Sequence, residues 1–238
     1  MNEIERYVED VLHRIAPGFP GRHRIETDLR SHLAERVAGG EDASSAVARM
    51  GHAAEVARGF LESTEPPLAR PADRLGGFLF DVGLGALAIA SITLLAIVAV
   101  GSYSTVRVSD WPLPLAVALG LGAVIVFVLV ILYFPVLETL FGQTAGKHVF
   151  GTFVARETGE RVGFWTAVVR RIPFMFDIWP IDAVFLLFTA RRQRAFDLAA
   201  RTIVIAGGRR FGRPWGMVAL LWLAAMGLGA LAGYLGSG

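Results

Sequence analysis

The chain contains no cysteine among its 238 residues. That absence excludes a disulfide scaffold, a zinc–thiolate centre and a thiol nucleophile. Charge is scarce too. Only 18% of residues are Asp, Glu, Lys or Arg, where about 25% is usual for a soluble domain. Lysine is nearly missing: Lys147 is the only one, and arginine carries the rest of the positive charge. Polar residues are too few for a disordered chain. The histidines, His13, His23, His32, His52 and His148, are never three or four positions apart, so no H-E-x-x-H metal motif exists. No serine-centred nucleophile elbow is present. The reading is a non-enzyme, with no catalytic residue, no metal site and no cofactor expected.

What the chain has in excess is apolar sequence. It is 54% hydrophobic with a mean hydropathy of +0.52, beyond the range of about 45–50% usual for soluble domains. Three runs are long enough to cross a bilayer, which takes about 20 apolar residues at 1.5 Å each. Residues 75–101 carry one charge, Asp81; residues 113–137 and 215–235 carry none. Trp111 and Trp215 stand at run ends, where interfacial aromatics belong. A fourth run, 172–190, contains Asp177, Pro180 and Asp182. It lies between Arg170-Arg171 and Arg191, Arg192 and Arg194. A full crossing would put one of these basic clusters outside, against the positive-inside tendency. A re-entrant, broken or interfacial helix pair is therefore expected there.

The first forty residues are too polar for a signal peptide. Ile4, Val8, Val11, Leu12 and Ile15 recur at helical spacing. Pro17-Gly18-Phe19-Pro20 stops that helix. A second stripe, Ile25, Leu29, Leu33 and Val37, ends at Gly39-Gly40. Asp42 is placed to cap a third helix with Ala46, Val47 and Met50, and residues 53–61 resume with Val56 and Phe60. Residues 1–65 thus read as a small soluble helical domain and the proline-rich 66–72 as a linker. A membrane domain follows over 73–208, then a transmembrane helix over 209–238. Residues 148–155 and 202–206 are β-prone and are expected to pair as a short cytoplasmic hairpin, with a turn at 157–160. The fold class is all-α membrane protein: a soluble helical bundle, then three to four transmembrane or re-entrant helices.

Charge orients this arrangement. Between Gly142 and Arg213 twelve basic residues face five acidic ones. Lying between apolar runs, this stretch reads as a cytoplasmic membrane face and not as a nucleic-acid site. The N-terminus is then cytoplasmic and the C-terminus external, in a multi-pass protein whose first partner is the lipid bilayer. Ala225, Gly229 and Gly233 form a small-residue stripe in the last run. It would pack inside the protein or join copies in a homo-oligomer.

Several residues carry a likeness to a known family. Arg74 lies seven positions before Asp81. Gly142-Gln143-Thr144-Ala145-Gly146-Lys147 comes later, then Gly151, Val154 and Arg170-Arg171. Arg192-Gln193-Arg194-Ala195-Phe196-Asp197 leads into Arg201-Thr202-Ile203-Val204. Over residues 70–207 this resembles the RDD family of membrane proteins. The resemblance makes Arg74 and Asp81 two of three signature residues. The third is Asp197, with Asp177 as the other candidate. It implies transport of a small ligand or cation, with cation–proton exchange as one form, in a bacterial inner membrane. Residues 1–65 are similar to the HAAS domain, on Asp28-Leu29-Arg30-Ser31-His32-Leu33 and Ala46-Val47-Ala48-Arg49-Met50-Gly51. That similarity implies the alternative function, a membrane-anchored regulator or scaffold that meets a cytoplasmic partner through 1–65.

Asp81 is costly to bury in an apolar run and calls for a partner. Arg74, two helical turns away, shares its face but sits about 10.5 Å along the axis. Either the two form a proton or cation relay, or they make a structural ion pair that fixes the first run against Asp197 or the basic loop. Asp197 among its arginines is either a surface salt bridge or a third member that approaches Arg74. Asp177 and Asp182, beside Trp179-Pro180, are accessory candidates, because broken membrane helices line ion sites. Lys147 is another accessory candidate. Residues 142–148 read G-x-x-x-G-K-H, one residue short of a phosphate loop and with His148 in the Ser/Thr position, so nucleotide binding is rejected.

Overall fold

A computed structural model describes residues 2–101, 131–175, 184–186, 188–207, 212 and 214–236. Most of the second apolar run, and Asp177 and Asp182, lie outside the described residues.

The predicted stripes become buried faces. Helix α1 (Glu3–Arg14) buries Tyr7, Val8, Val11 and Leu12. Helix α2 (Arg22–Ala38) buries Ile25, Leu29 and Leu33, while Val37, last of its stripe, is 37% exposed. Helix α3 (Ala43–Met50) starts where Asp42 accepts a bond from the Ser44 N–H at 3.2 Å. That contact satisfies one of the orphan donors at a helix N-terminus. Helix α4 (Ala53–Glu62) buries Ala53, Ala57 and Leu61.

This bundle does not close on itself. Its core continues into Ala155, Ile203 and Ile205, which belong to two strands much later in the chain. Strand β1 (Thr152–Arg156) pairs antiparallel with β2 (Thr202–Ala206), Thr152 opposite Ala206 and Arg156 opposite Thr202. The α1–α2 loop is bonded to the turn after β1, Ala16 N–H to Gly159 C=O at 3.1 Å and Arg161 N–H to Arg14 C=O at 3.1 Å. The segment read as a linker is a third rail of the sheet. Leu68 bridges to Ile205, the Ala206 N–H donates to Pro67 C=O at 2.8 Å, and the Ala69 N–H donates to Val204 C=O at 2.9 Å. Pro67 has no N–H but keeps its carbonyl, so it can line an edge.

Two strand expectations are corrected. The first strand begins at Thr152, not at 148, because Thr144 caps a short helix that absorbs residues 145–149 (α7, Ala145–Val149). The strands form no tight hairpin either: the chain between them holds α8 (Phe164–Val169), α9 (Ile172–Met175), a helical turn at 184–186 (α10) and α11 (Ala195–Ala199).

Two helices are long and apolar enough to cross a membrane by length and composition, α5 (Pro71–Gly101) and α12 (Pro214–Gly236). The described end of the second run is a shorter apolar helix, α6 (Ile131–Phe141). Helices α5 and α12 pack together, with Trp222 Nε1 donating to Leu79 C=O at 3.1 Å. Among the described residues of α12, Val218, Ala225 and Ala232, seven residues apart, are buried. The expected small-residue stripe departs from this face after Ala225, since a Cβ on Gly229 would meet nothing within 4 Å. Leu95, Leu220 and Met226 are each about 70% exposed. Such uncovered apolar surface on two spanning-length helices suggests a membrane protein.

The docking of bundle on sheet depends on a glycine contact. A Cβ on Gly207 would collide with the Gly18 carbonyl. Gly207→Ala is expected to destabilise this junction by about 1–3 kcal/mol. Faster tryptic cleavage after Arg14 and Arg22 in detergent is the expected readout; an unchanged digest would argue against the docking.

Candidate functional site

Seven charged side chains from five segments converge where α5, α6, α7, the end of α8 and α11 meet. Two carboxylates form its centre. Glu138, near the end of α6, has a fully buried side chain that accepts from Lys147 Nζ at 2.8 Å, Arg170 Nη1 at 2.7 Å and Arg171 Nη2 at 2.7 Å. Asp197, in α11, is equally buried and accepts from Arg74 Nη2 at 2.5 Å, Arg170 Nε at 2.9 Å and Arg194 Nη2 at 3.2 Å. Arg170, whose side chain is 1% exposed, bridges the two. The backbone N–H of Arg194 also donates to Asp197 at 3.2 Å, closing a capping box at the start of α11. Arg171 lies 3.6 Å from the Phe134 ring centroid in a cation–π contact.

Electrostatics follow from burial and pairing. Burial alone would raise the Asp197 carboxyl, but Arg194, Arg170 and Arg74 outweigh it and hold the group well below the usual carboxylate range. Burial pushes the Lys147 ammonium down to about 8, against the upward pull of Glu138. Arg171 is also lowered, first by burial.

Asp81 occupies a separate compartment of the same region. It is 5% exposed and accepts from Thr144 Oγ1 at 2.5 Å, Gly146 N–H at 2.7 Å and Tyr133 Oη at 3.0 Å. All these donors are neutral and all come from α6 and the α6–α7 corner. Close approach makes this possible: a Cβ on Gly146 would collide with the Gly77 carbonyl. Asp81 therefore ties α5 to α7, while Arg74 turns away from it to Asp197 and to the Arg192 carbonyl. Arg192 presents that carbonyl from a left-handed backbone, φ 50°.

A cavity of about 140 Å³ opens among these groups, lined by Arg74, Asp81, Lys147, Arg170, Arg171 and Arg194, with Leu75, Phe78, Phe134 and Leu186 as its apolar wall. The three residues named from the resemblance with Asp197 as third member thus fall in one region, Arg74 on Asp197 and Asp81 on the α6–α7 corner. Lys147 belongs to the cluster. Asp177 and Asp182 lie outside the described residues. Among the described residues no group of His, Asp or Glu is arranged to hold a metal ion.

Glu138 escaped the sequence reading. Its signal was present: it is the first charge after a long uncharged run. Arg170 and Arg171, read as a basic cluster beside the 172–190 run, both sit on Glu138.

The model of a family described as RDD family matches residues 68–201, more than half of the chain. The match contains every member of the cluster. No curated protein and no solved structure matches the chain.

Removing one partner of a buried pair leaves charge uncompensated. Glu138→Gln is expected to destabilise the protein by about 3–5 kcal/mol, read as a lower melting temperature in detergent. The depressed Asp197 gives a pH dependence. Its stabilising contribution is complete above about pH 4 and is lost as pH falls from there toward its folded value. Asp197→Asn should therefore melt lower than wild type near neutral pH and lose less on acidification; parallel acid titrations of the two would sink this assignment.

Proposed function

The chain belongs to the RDD family, and on that premise we propose that it is a multi-pass membrane protein that transports a small ligand, with Asp81 as its proton-carrying group. The carrying observation is the cavity of about 140 Å³ that Asp81 shares with the ion cluster. A carboxylate inside an apolar helix is expensive and tends to mark a proton or ion pathway. The donors to Asp81 are two hydroxyls and one backbone N–H. Protonation there breaks no ion pair in the cluster.

The same contacts support a topology. Arg170 and Arg194, on opposite sides of the 172–190 run, both bind Asp197. A run whose two flanks meet leaves and returns at one end, which favours a re-entrant pair. The start of α5, the end of α6 and the start of α12 lie at that end too, beside the N-terminal bundle. By the positive-inside tendency this end is cytoplasmic and the C-terminus external. Three crossings are few for a monomeric carrier, and the uncovered faces of α5 and α12 leave room for a second copy.

A second reading has its own observation. The N-terminal bundle, HAAS-like by sequence, shares one core with the sheet, so a cytoplasmic partner bound to residues 1–65 would act on the membrane part directly. This regulatory role predicts a specific partner of the full-length chain that is lost on charge reversal at the exposed Arg24 and Arg58; equal capture by both forms would defeat it.

For the transport reading, Asp81→Asn is expected to abolish pH-coupled flux in proteoliposomes while the protein stays folded. Unchanged flux in that variant would overturn the role of Asp81. For the topology, Arg191→Cys in this cysteine-free chain is expected to label from the cytoplasmic side, as residues introduced before α5 do. Labelling from the opposite side would mean that 172–190 crosses.

A further inference from the structure

We propose that helix α8 lies in the headgroup layer of the bilayer, with Trp165 as its anchor and Arg156 and Arg161 against anionic headgroups. This rests on the membrane reading above and adds a lipid contact outside the long apolar helices.

The first support is the place of α8 in the fold. The sheet has two faces. Phe153, Ala155, Ile203 and Ile205 pack into the N-terminal bundle. Thr152 and Val204 turn the other way and line the cavity of the ion cluster. Val154, on that second face, packs with Val162 and with Ala167 of α8. Helix α8 therefore lies on the side of the sheet away from the bundle. Its C-terminus runs directly into Arg170, which sits on Glu138 of α6. Just before α8, Arg161 Nη2 donates to the Leu140 carbonyl at 2.7 Å. Both ends of α8 are thus tied to the last turn of α6, where the second apolar run finishes.

The second support is what α8 exposes. Its six residues, Phe164–Val169, carry no charge. Ala167 is fully buried against the sheet. Trp165 stands about 200° from it around the helix and is 77% exposed. An indole has an apolar ring and a polar N–H, and Trp collects where lipid tails meet wet headgroups. Leu140 and Phe141, ending α6, are also more than half exposed. This uncovered edge continues from the end of an apolar run, so lipid is the occupant it fits.

The third support is charge. The groove beside that edge is lined by Arg14, Arg156 and Arg161, with Glu160 as its carboxylate. Arg14 pairs with Asp10 at 3.8 Å, and Glu160 accepts from Thr158 at 3.1 Å. Arg156 is exposed. Guanidiniums beside an exposed indole suit an anionic lipid surface.

The test uses the full-length, cysteine-free chain in nanodiscs of mixed phosphatidylglycerol and phosphatidylcholine. Trp165→Cys, Leu223→Cys on the exposed face of α12 and Glu62→Cys at the exposed end of α4 each carry a polarity-sensitive fluorophore. Lipids bear a spin-label quencher near the headgroup or deep in the acyl chain. Position 165 is expected to be quenched most by the shallow label, 223 by the deep one and 62 by neither. Quenching at 223 with none at 165 overturns the proposal, leaves the membrane reading standing and gives this edge to a protein partner. No quenching at 223 brings down the membrane reading and this proposal with it. Trp165→Phe keeps a ring in place and guards against misfolding. The emission it removes from the five-Trp spectrum should be quenched by the shallow label in wild type; an unquenched component overturns the anchor. Shallow quenching at 165 should be stronger when phosphatidylglycerol carries the label than when phosphatidylcholine does. Arg156→Gln should cut that preference about fivefold. Equal quenching from both lipids overturns the role of the arginines.

Discussion

Arg170 is the contact on which the rest of the structure depends. Its guanidinium, almost wholly buried, reaches Glu138 with one edge and Asp197 with another. Neither carboxylate tolerates burial alone, because desolvating an ion is worth several kcal/mol and only close, hydrogen-bonded counter-charge offsets it. The bridge therefore dictates which parts of the chain meet. It draws the end of α6, the end of α8 and the start of α11 to one point. Arg74 then brings in the start of α5, and Lys147 brings in α7. Position along the long apolar helices is set by polar pairing, which would suit a bilayer, where apolar packing between helices has little hydrophobic driving force.

Asp81 complements this cluster by a different physics. It gathers neutral donors at a corner where two glycines let α5 and α7 touch. The cluster sets charge against charge, whereas Asp81 is held by two hydroxyls and one backbone N–H, and both line one cavity.

Much of this was readable in residues. Stripes at three and four spacing placed α1 to α4 within a few positions, and Asp42 marked a cap that exists. Long uncharged runs placed α5 and α12. The Arg74 and Asp81 spacing pointed to one region and was long for a direct bond, and Arg74 pairs with Asp197, the approach that the sequence reading offered as an alternative. Tertiary neighbours decided their pairing. Glu138 was missed since a charge at the edge of an apolar run looks like its natural boundary. The β-prone 148–150 lost to Thr144, whose cap begins a helix there. The proline-rich 66–72 was read as a linker; in the structure Pro67 joins the sheet edge through its carbonyl and Ala69 through its N–H.

That edge has a consequence for how the protein is divided. Residues 67–69 are stitched to β2, and β2 carries Ile203 and Ile205 into the core of the N-terminal bundle. No seam runs at residue 65. A chain cut there would uncover an oily sheet face and leave the bundle short of part of its interior. The N-terminal bundle and the part that follows it thus share one core at this sheet, and a change in one is constrained by the other.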